Sequence, residues 1–137
     1  MTKLYIGIDP GTDTGLAIWN PETKQLTLHT LTILKAVDIV ADLHKHKQIT
    51  VWIENPNLRK WFGNSGREKL QGAGSVKRDY AIWKEFFIEQ KIDYIPVAPG
   101  GNKMLKMDQI PFNKLTGYVG KSSVHARDAA SMVWGRK

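Results

Sequence analysis

The sequence of 137 residues contains no cysteine, which excludes a disulfide scaffold and thiolate metal sites. It also lacks an apolar run long enough to cross a bilayer and a pattern typical of a signal peptide, so we predict a cytoplasmic protein without a membrane partner. Acidic residues are few: 13 Asp and Glu stand against 20 Lys and Arg, a net charge of +7. This imbalance favours a polyanionic partner.

The length allows one domain, 1–137, with a full hydrophobic core. Apolar runs and alternation predict strands at 3–9, 15–19, 25–31, 49–54 and 92–96. Apolar positions at helical spacing predict helices at 33–46, at 75–90 after a Ser75 cap, and at 124–134 after a cap by Ser122 or Ser123. The remaining long stretches, 55–74 and 97–121, are rich in glycine and basic residues and are predicted to be functional or mobile loops.

Three acidic residues stand where regular elements would hold them. Asp9 ends the first apolar run, Glu54 ends the fourth predicted strand, and Asp128 lies among alanines in the last predicted helix. Taken singly, Asp9 before Pro10 and Gly11 is explained by a turn, and Glu54 by a surface charge at a strand end. Asp128 needs a partner, because alanines mark a helix face packed closely on a sheet. Together the three favour a divalent metal site.

Four sequence motifs carry a resemblance to a known family over nearly the whole chain. They are Gly7-Ile8-Asp9-Pro10-Gly11 with Gly15, Ile53-Glu54-Asn55, Gly72-Ala73-Gly74, and His125-Ala126-Arg127-Asp128-Ala129-Ala130. In order and spacing they resemble RuvC-type Holliday junction resolvases of the small, phage-like branch of the ribonuclease H-like (retroviral integrase) superfamily. The resemblance implies an α/β, ribonuclease H-like fold: a mixed five-stranded sheet, with an antiparallel three-strand meander plus two parallel strands, flanked by helices.

The resemblance also implies a chemistry. It implies an endonuclease that nicks four-way DNA junctions symmetrically and leaves 5′-phosphate and 3′-hydroxyl ends. Asp9 would bridge two Mg²⁺ or Mn²⁺ ions, Glu54 would hold one of them and Asp128 the other, consistent with the oxygen ligands that Mg²⁺ prefers and with two-metal hydrolysis. A four-way junction has two symmetric strands to cut, so a homodimer is expected. No nucleotide cofactor is expected, and the cell would be a bacterium or a phage-infected host.

His125 departs from part of the family, because many members have an acid at this position and others a histidine. It precedes Asp128 by three residues and therefore projects from nearly the same helix face. We predict that His125 either binds the second metal or orients the attacking water. A histidine bonded only to backbone or solvent is the alternative.

Basic residues in the two predicted loops border the proposed groove and are predicted to contact DNA phosphates. Trp61 and Phe62 lie among them and either stack on bases of an opened junction or form a small hydrophobic cluster under the loop. The predicted DNA-binding residues are Arg59, Lys60, Trp61, Phe62, Arg67, Lys69, Lys77, Arg78, Lys103, Lys106 and Lys121. Extra aromatics in the 75–90 helix, namely Trp83, Phe86 and Phe87, indicate either a second subunit or a thicker core.

Other functions stay open at this point. The Asp-x-Gly turn also resembles the phosphate-binding loop of actin and sugar-kinase ATPases, but those proteins enclose the nucleotide between two such domains. A ribonuclease H-like nuclease acting on RNA:DNA hybrids, flaps or replication forks is not separated from a resolvase by length or loops. A non-catalytic module that binds branched nucleic acid is disfavoured by the joint presence of Asp9, Glu54 and Asp128.

Overall fold

Five strands form one mixed sheet in the computed structural model of the chain, which describes residues 2–58, 67–99 and 107–137, with the backbone alone for 67–73. The strands are β1 (Lys3–Asp9), β2 (Thr14–Asn20), β3 (Gln25–Leu31), β4 (Gln48–Glu54) and β5 (Tyr94–Val97). Their order is β3-β2-β1-β4-β5. Strands β1, β2 and β3 form an antiparallel meander, and β4 and β5 run parallel to β1. The predicted mixed sheet is confirmed.

Four helices accompany the sheet in the described part of the chain: α1 (Ile33–His46), α2 (Arg67–Gln90), α3 (Gln109–Thr116) and α4 (Val124–Ser131). A short 3-10 turn, Pro56–Leu58, follows β4. Helix α4 begins after Ser123, whose hydroxyl accepts a hydrogen bond from the Ala126 amide, as one of the two predicted caps. No helix among these residues is long and apolar enough to span a membrane.

The prediction of a loop up to residue 74 was wrong, because α2 begins at Arg67 and not after a cap at Ser75. Gly72 and Gly74 therefore lie inside the helix. Glycine costs about 1 kcal/mol relative to alanine in a helix interior. That low propensity made the stretch resemble a loop, although neighbouring residues continue the helix.

The prediction of one loop over 97–121 was also wrong, since it contains α3. Pro111 is compatible with this helix because it is the third residue, where the backbone N–H has no partner within the helix. Gly117, with φ 75°, ends α3 in the left-handed conformation. Smaller errors concern the ends of elements: β5 begins at Tyr94 and not at residue 92, and α4 ends at Ser131 and not at Trp134.

Successive strand residues point to opposite sides of the sheet, so the sheet presents side chains on two faces. Helices cover both of these faces. On one face, residues such as Ile6 and Val51 pack with α1 and α2, including the fully buried Trp83 and Phe87. Phe86 is partly buried against the same cluster. Two of the three extra aromatics of α2 are therefore part of the core of a single chain, whereas Phe86 keeps part of its surface exposed.

The other face packs against α3 and α4. Its buried cluster combines Tyr5, Ala17 and Trp19 of the sheet with Phe112 of α3 and with α4 and the turn after it. The alanines of α4 are small enough to bring the helix backbone close to the strands. This close packing determines where the side chains of α4 lie relative to the ends of β1 and β4.

Gly7 in the middle of β1 shows how closely α4 approaches. A Cβ atom built at Gly7 would overlap the backbone carbonyl oxygen of Ala129. Backbone atoms of a packed helix cannot move aside as a flexible side chain can. The missing side chain at Gly7 is therefore a requirement for the position of α4.

We expect Gly7→Ala to destabilise the fold by about 1–3 kcal/mol, in the range of other overpacking substitutions. Gly74→Ala is the matched control, because a Cβ there meets no atom within 4 Å and the residue lies inside a helix. It should stabilise the protein by about 0.5–1 kcal/mol. Urea denaturation of both variants measures the effects, and equal effects of the same sign would contradict the packing argument.

Candidate active site

The predicted site residues come together at one edge of the sheet. Asp9 is the last residue of β1 and Glu54 the last of β4, and the two strands are parallel neighbours in which Ile8 pairs with Ile53. Parallel neighbours in register end at the same edge. Helix α4 packs on β1 and β2 and adds Asp128 and His125 from above this edge.

Direct contacts link these side chains in pairs. His125 Nδ1 and Asp9 Oδ2 share a hydrogen bond at 3.1 Å. Glu54 also interacts with Asp9, because its charge and a side-chain hydrogen bond contribute to the raised pKa of the Asp9 carboxyl group. The Asp9 side chain is only 13% exposed, whereas that of His125 is 45% exposed, so the imidazole borders solvent and the carboxyl group lies behind it.

Asp128 is half-buried between the helix and the sheet. Its Oδ1 atom is buried and has no hydrogen-bond partner among the described residues. A buried carboxylate oxygen without a partner is costly unless something neutralises it. Asp128 is therefore a candidate ligand and not a surface charge.

Gly15 brings the start of α4 to Asp9. It pairs with Asp9 across β1 and β2, and a Cβ atom at Gly15 would overlap the backbone carbonyl of His125. The hydroxyls of Thr30 and Ser123 share a hydrogen bond that fastens the same end of the helix to β3. The sequence motif singled out Gly15, and the structure supplies a packing reason for it.

The carboxyl groups raise one another's proton affinity. Burial, followed by the charge and hydrogen bond of Glu54 and the charge of Asp128, raises the pKa of Asp9 to about 9. Burial and the charge of Glu54 raise the pKa of Asp128 to about 6, although the guanidinium of Arg127 opposes the shift. The site thus concentrates acidic groups without enough positive charge to balance them.

The donor set fits a hard divalent cation, which prefers carboxylate oxygens and accepts an imidazole. The unpartnered Asp128 oxygen and the raised pKa of Asp9 indicate the same need for positive charge. Within the ranges that the structure describes, however, no three Asp, Glu or His side chains surround a single position that could hold an ion. Side chains of the types that bind such an ion are therefore present, and they interact with one another in pairs.

Only some of the predicted DNA-binding residues lie within the described residues. Lys77 and Arg78 are exposed on α2, where Arg78 donates to the Ser75 hydroxyl and to the Asp79 carboxylate. Lys121 is exposed just before α4. Arg67 and Lys69 belong to α2, but their side chains lie outside the described set. The other predicted residues fall entirely outside the described ranges: Arg59, Lys60, Trp61, Phe62, Lys103 and Lys106.

Sequence reasoning gave no role to Arg127 or to its hydrogen-bond partner Gln109. Arg127 precedes Asp128 and influences its pKa, and its side chain bonds to Gln109. The adjacency of Arg127 to a predicted ligand was an available signal. Nothing in the sequence pattern singled out Gln109, because its partners are distant along the chain.

This arrangement of sheet, flanking helices and acidic edge is a ribonuclease H-like fold. Twenty-two chains of solved structures match the molecule. One is RuvC of T. thermophilus in complex with Holliday junction substrate, which aligns over 94% of this chain and 88% of its own with a TM-score of 0.56 and 13% identity. At that identity the likeness concerns the fold. No protein-family model matches the sequence, and no curated protein does.

The raised pKa values predict how stability depends on pH. For Asp9 and Asp128 the folded-state pKa lies above the ordinary value of 3.8, so the folded chain holds protons more tightly than the unfolded chain. With chelator present, we expect the stability contributed by these groups to be full below about pH 4 and lost as the pH rises through about 6 and then about 9. Urea midpoints measured across this range test the expectation.

Asp9→Asn should flatten this pH dependence and be more stable than the wild type at alkaline pH, because it removes a buried group that resists ionisation. Glu22→Gln is the control, since Glu22 is an exposed acid in the β2–β3 turn whose backbone amide, and not its carboxylate, makes the hydrogen bond found there among the described residues. Parallel pH profiles of stability for the wild type and Asp9→Asn would contradict the raised pKa of Asp9.

Proposed function

We propose that the protein is a metal-dependent endonuclease that cuts branched DNA, foremost four-way junctions, by phosphodiester hydrolysis that leaves 5′-phosphate and 3′-hydroxyl ends. The observation that carries this proposal is the meeting of Asp9, Glu54 and Asp128 with His125 at one sheet edge, with an excess of acidic charge. The fold shared with a RuvC solved on a Holliday junction substrate supports the choice of DNA.

The proposed cofactor is a pair of Mg²⁺ or Mn²⁺ ions. Asp9 would be shared between them, with Glu54 on one side and Asp128 with His125 on the other. Such ions, when bound, activate the attacking water and stabilise the leaving oxygen.

The residues of the chain prepare this site in two ways. Asp9 and Glu54 end rigid strands and Asp128 lies in a packed helix, so the ligands need little reorganisation of the backbone. The contact between His125 and Asp9 uses one ring nitrogen of the imidazole and one oxygen of the carboxyl group, so the other nitrogen would be left to hold an ion or to orient water. Because Asp9 must lose its proton first, metal affinity should increase with pH.

Substrate binding is proposed to be largely electrostatic. The net charge of +7 and the exposed Lys77, Arg78 and Lys121 supply cations for phosphate contacts. Such contacts position DNA without reading its sequence, and their strength falls steeply with salt. The basic residues of 59–66 and 100–106 and the stacking role of Trp61 and Phe62 remain predictions of the same kind.

Symmetric nicking adds a requirement on assembly. Two equivalent strands of a four-way junction are cut most simply by a two-fold dimer, which presents two identical sites in a fixed relation. The homodimer is therefore part of the proposal, as is a cytoplasmic location where the DNA is found.

We expect wild-type protein to nick a labelled four-way junction symmetrically with Mg²⁺ or Mn²⁺ and not with chelator. Asp9→Asn should reduce cutting to the level seen without protein, because it removes the shared ligand. Gel analysis of junction, flap, duplex and RNA:DNA substrates measures the selectivity, with Glu22→Gln as an active control.

Each other outcome of this assay has a definite meaning. Cleavage of hybrids alone would make the protein a ribonuclease, and cleavage of flaps alone a flap nuclease. Junction binding without cutting under every metal condition would make it a binding module. In each of these cases the proposed junction endonuclease is wrong.

Metal binding can be measured without activity. We expect Mn²⁺ to raise the melting temperature of the wild type near neutral pH, because a ligand that binds only the folded state stabilises it by RT ln(1 + [L]/Kd). The increase should become larger with pH, as Asp9 ionises, and should be lost in Asp9→Asn. An equal increase in both proteins would show that the ion binds elsewhere.

A further inference from the structure

Arg127 connects α4 to the segment that precedes it. Its Nε donates to the Met107 carbonyl oxygen at 3.1 Å, and its Nη1 donates to the Ser122 carbonyl oxygen at 2.6 Å and to Gln109 Oε1 at 3.3 Å. One guanidinium thus binds both ends of the stretch 107–122. This rigid, multiply bonded geometry is one that arginine forms and lysine does not.

Two side chains of α3 complete the network. Gln109 Oε1 accepts hydrogen bonds from the amide and the hydroxyl of Ser122, and Gln109 Nε2 donates to Asn113 Oδ1 at 2.7 Å. Asn113 Nδ2 donates to the Gly120 carbonyl oxygen at 3.1 Å. Gln109 and Asn113 are four residues apart on one helix face, so they hold the returning chain at two successive points.

The residue between these two points is Lys121. Its neighbours Gly120 and Ser122 are both bonded to α3, while Lys121 itself is exposed. It precedes His125 by four residues, so their Cα atoms are at most about 15 Å apart. A lysine on a fixed backbone loses less conformational entropy on binding than one on a mobile loop.

We propose that Gln109, Asn113 and Arg127 are positioning residues that hold Lys121 for contact with a backbone phosphate of the DNA beside the carboxylate site. The inference rests on the proposed function. The network residues need not touch DNA, since they act through the backbone on both sides of Lys121. Loss of the network should therefore weaken DNA binding in the same way as loss of the lysine.

A double-mutant cycle tests this link. Junction binding is measured by fluorescence anisotropy against salt concentration in an Asp9→Asn background, which prevents cutting. Lys121→Ala should weaken binding several-fold and lower the magnitude of the salt slope by about one, as for a lost phosphate contact. Gln109→Ala should produce a similar loss, and the Gln109→Ala/Lys121→Ala pair should bind no worse than either single variant.

Two further variants separate the network from general effects. Arg127→Lys keeps the charge beside Asp128 but loses the forked bonding, so it should also weaken binding. Lys45→Ala removes an exposed lysine near the end of α1, just before β4 begins and thus far from Glu54, and should bind as the parent does. Additive losses in the cycle, or a Gln109→Ala variant that binds normally, would overturn the inference.

A measurement on the free protein distinguishes this failure from that of the proposed function. Amide hydrogen exchange at Ser122 should accelerate in Gln109→Ala, because that amide donates to the removed side chain. Unchanged exchange would show that the network does not hold the segment. If the wild type cuts and binds junctions normally and Gln109→Ala binds as tightly as its parent, only the role of the network is rejected. If the wild type binds no junction, both proposals are rejected.

Discussion

The site depends on how closely α4 packs against β1 and β2. Backbone carbonyls of Ala129 and His125 occupy the space where Gly7 and Gly15 would otherwise carry side chains. Without this approach, Asp128 and His125 would stand above the sheet instead of beside Asp9. On the helix side of the same contact, the side chains of Ala126, Ala129 and Ala130 are buried and short, which lets the helix approach the strands. The position of the helix is thus set by side chains that are absent or small.

Close packing brings the acids together and removes water from them, and both effects raise the pKa of the carboxyl groups. Burial is the largest cause of the raised pKa of both Asp9 and Asp128, and the charge of Glu54 comes next for each. A fold that gains stability from packing α4 on the sheet therefore also opposes ionisation of its own site. A divalent cation would remove this conflict, because it favours the ionised carboxylates that burial disfavours. This is the physical reason to connect the packing of the helix with the proposed metal dependence.

Much of the fold could be predicted because local patterns and final structure agree. The strands β1 and β3 and the helix α1 have alternation or helical spacing that tertiary contacts do not override. The nearness of Asp9 and Glu54 was implied by the family resemblance, and the structure produces it because the two acids end neighbouring parallel strands. Helix α3 escaped prediction because Pro111 suggested a break, and the start of α2 because Gly72 and Gly74 did. In both cases the helix tolerates residues that are unfavourable on average.

The polar connections could not be predicted, because their partners are far apart along the chain. Thr30 meets Ser123, and Arg127 meets the Met107 carbonyl, only after the sheet and helices are assembled. Sequence patterns report which face of an element is apolar, and they carry little information on which serine or glutamine will face a given guanidinium. These connections hold the end of α4 that bears His125. The contacts that orient His125 are therefore the contacts that are hardest to predict.

The histidine at position 125 is consistent with the electrostatics of this site. Its ring contacts Asp9, whose ionisation is already opposed by Glu54 and Asp128. A carboxylate in place of His125 would add a further negative charge at hydrogen-bond distance from Asp9 and would disfavour ionisation still more. An imidazole keeps the ability to bind a metal or hold a water while adding no negative charge. Because Asp9 is so deeply enclosed in this chain, a histidine at this position makes the carboxylate group easier to ionise than an acid would.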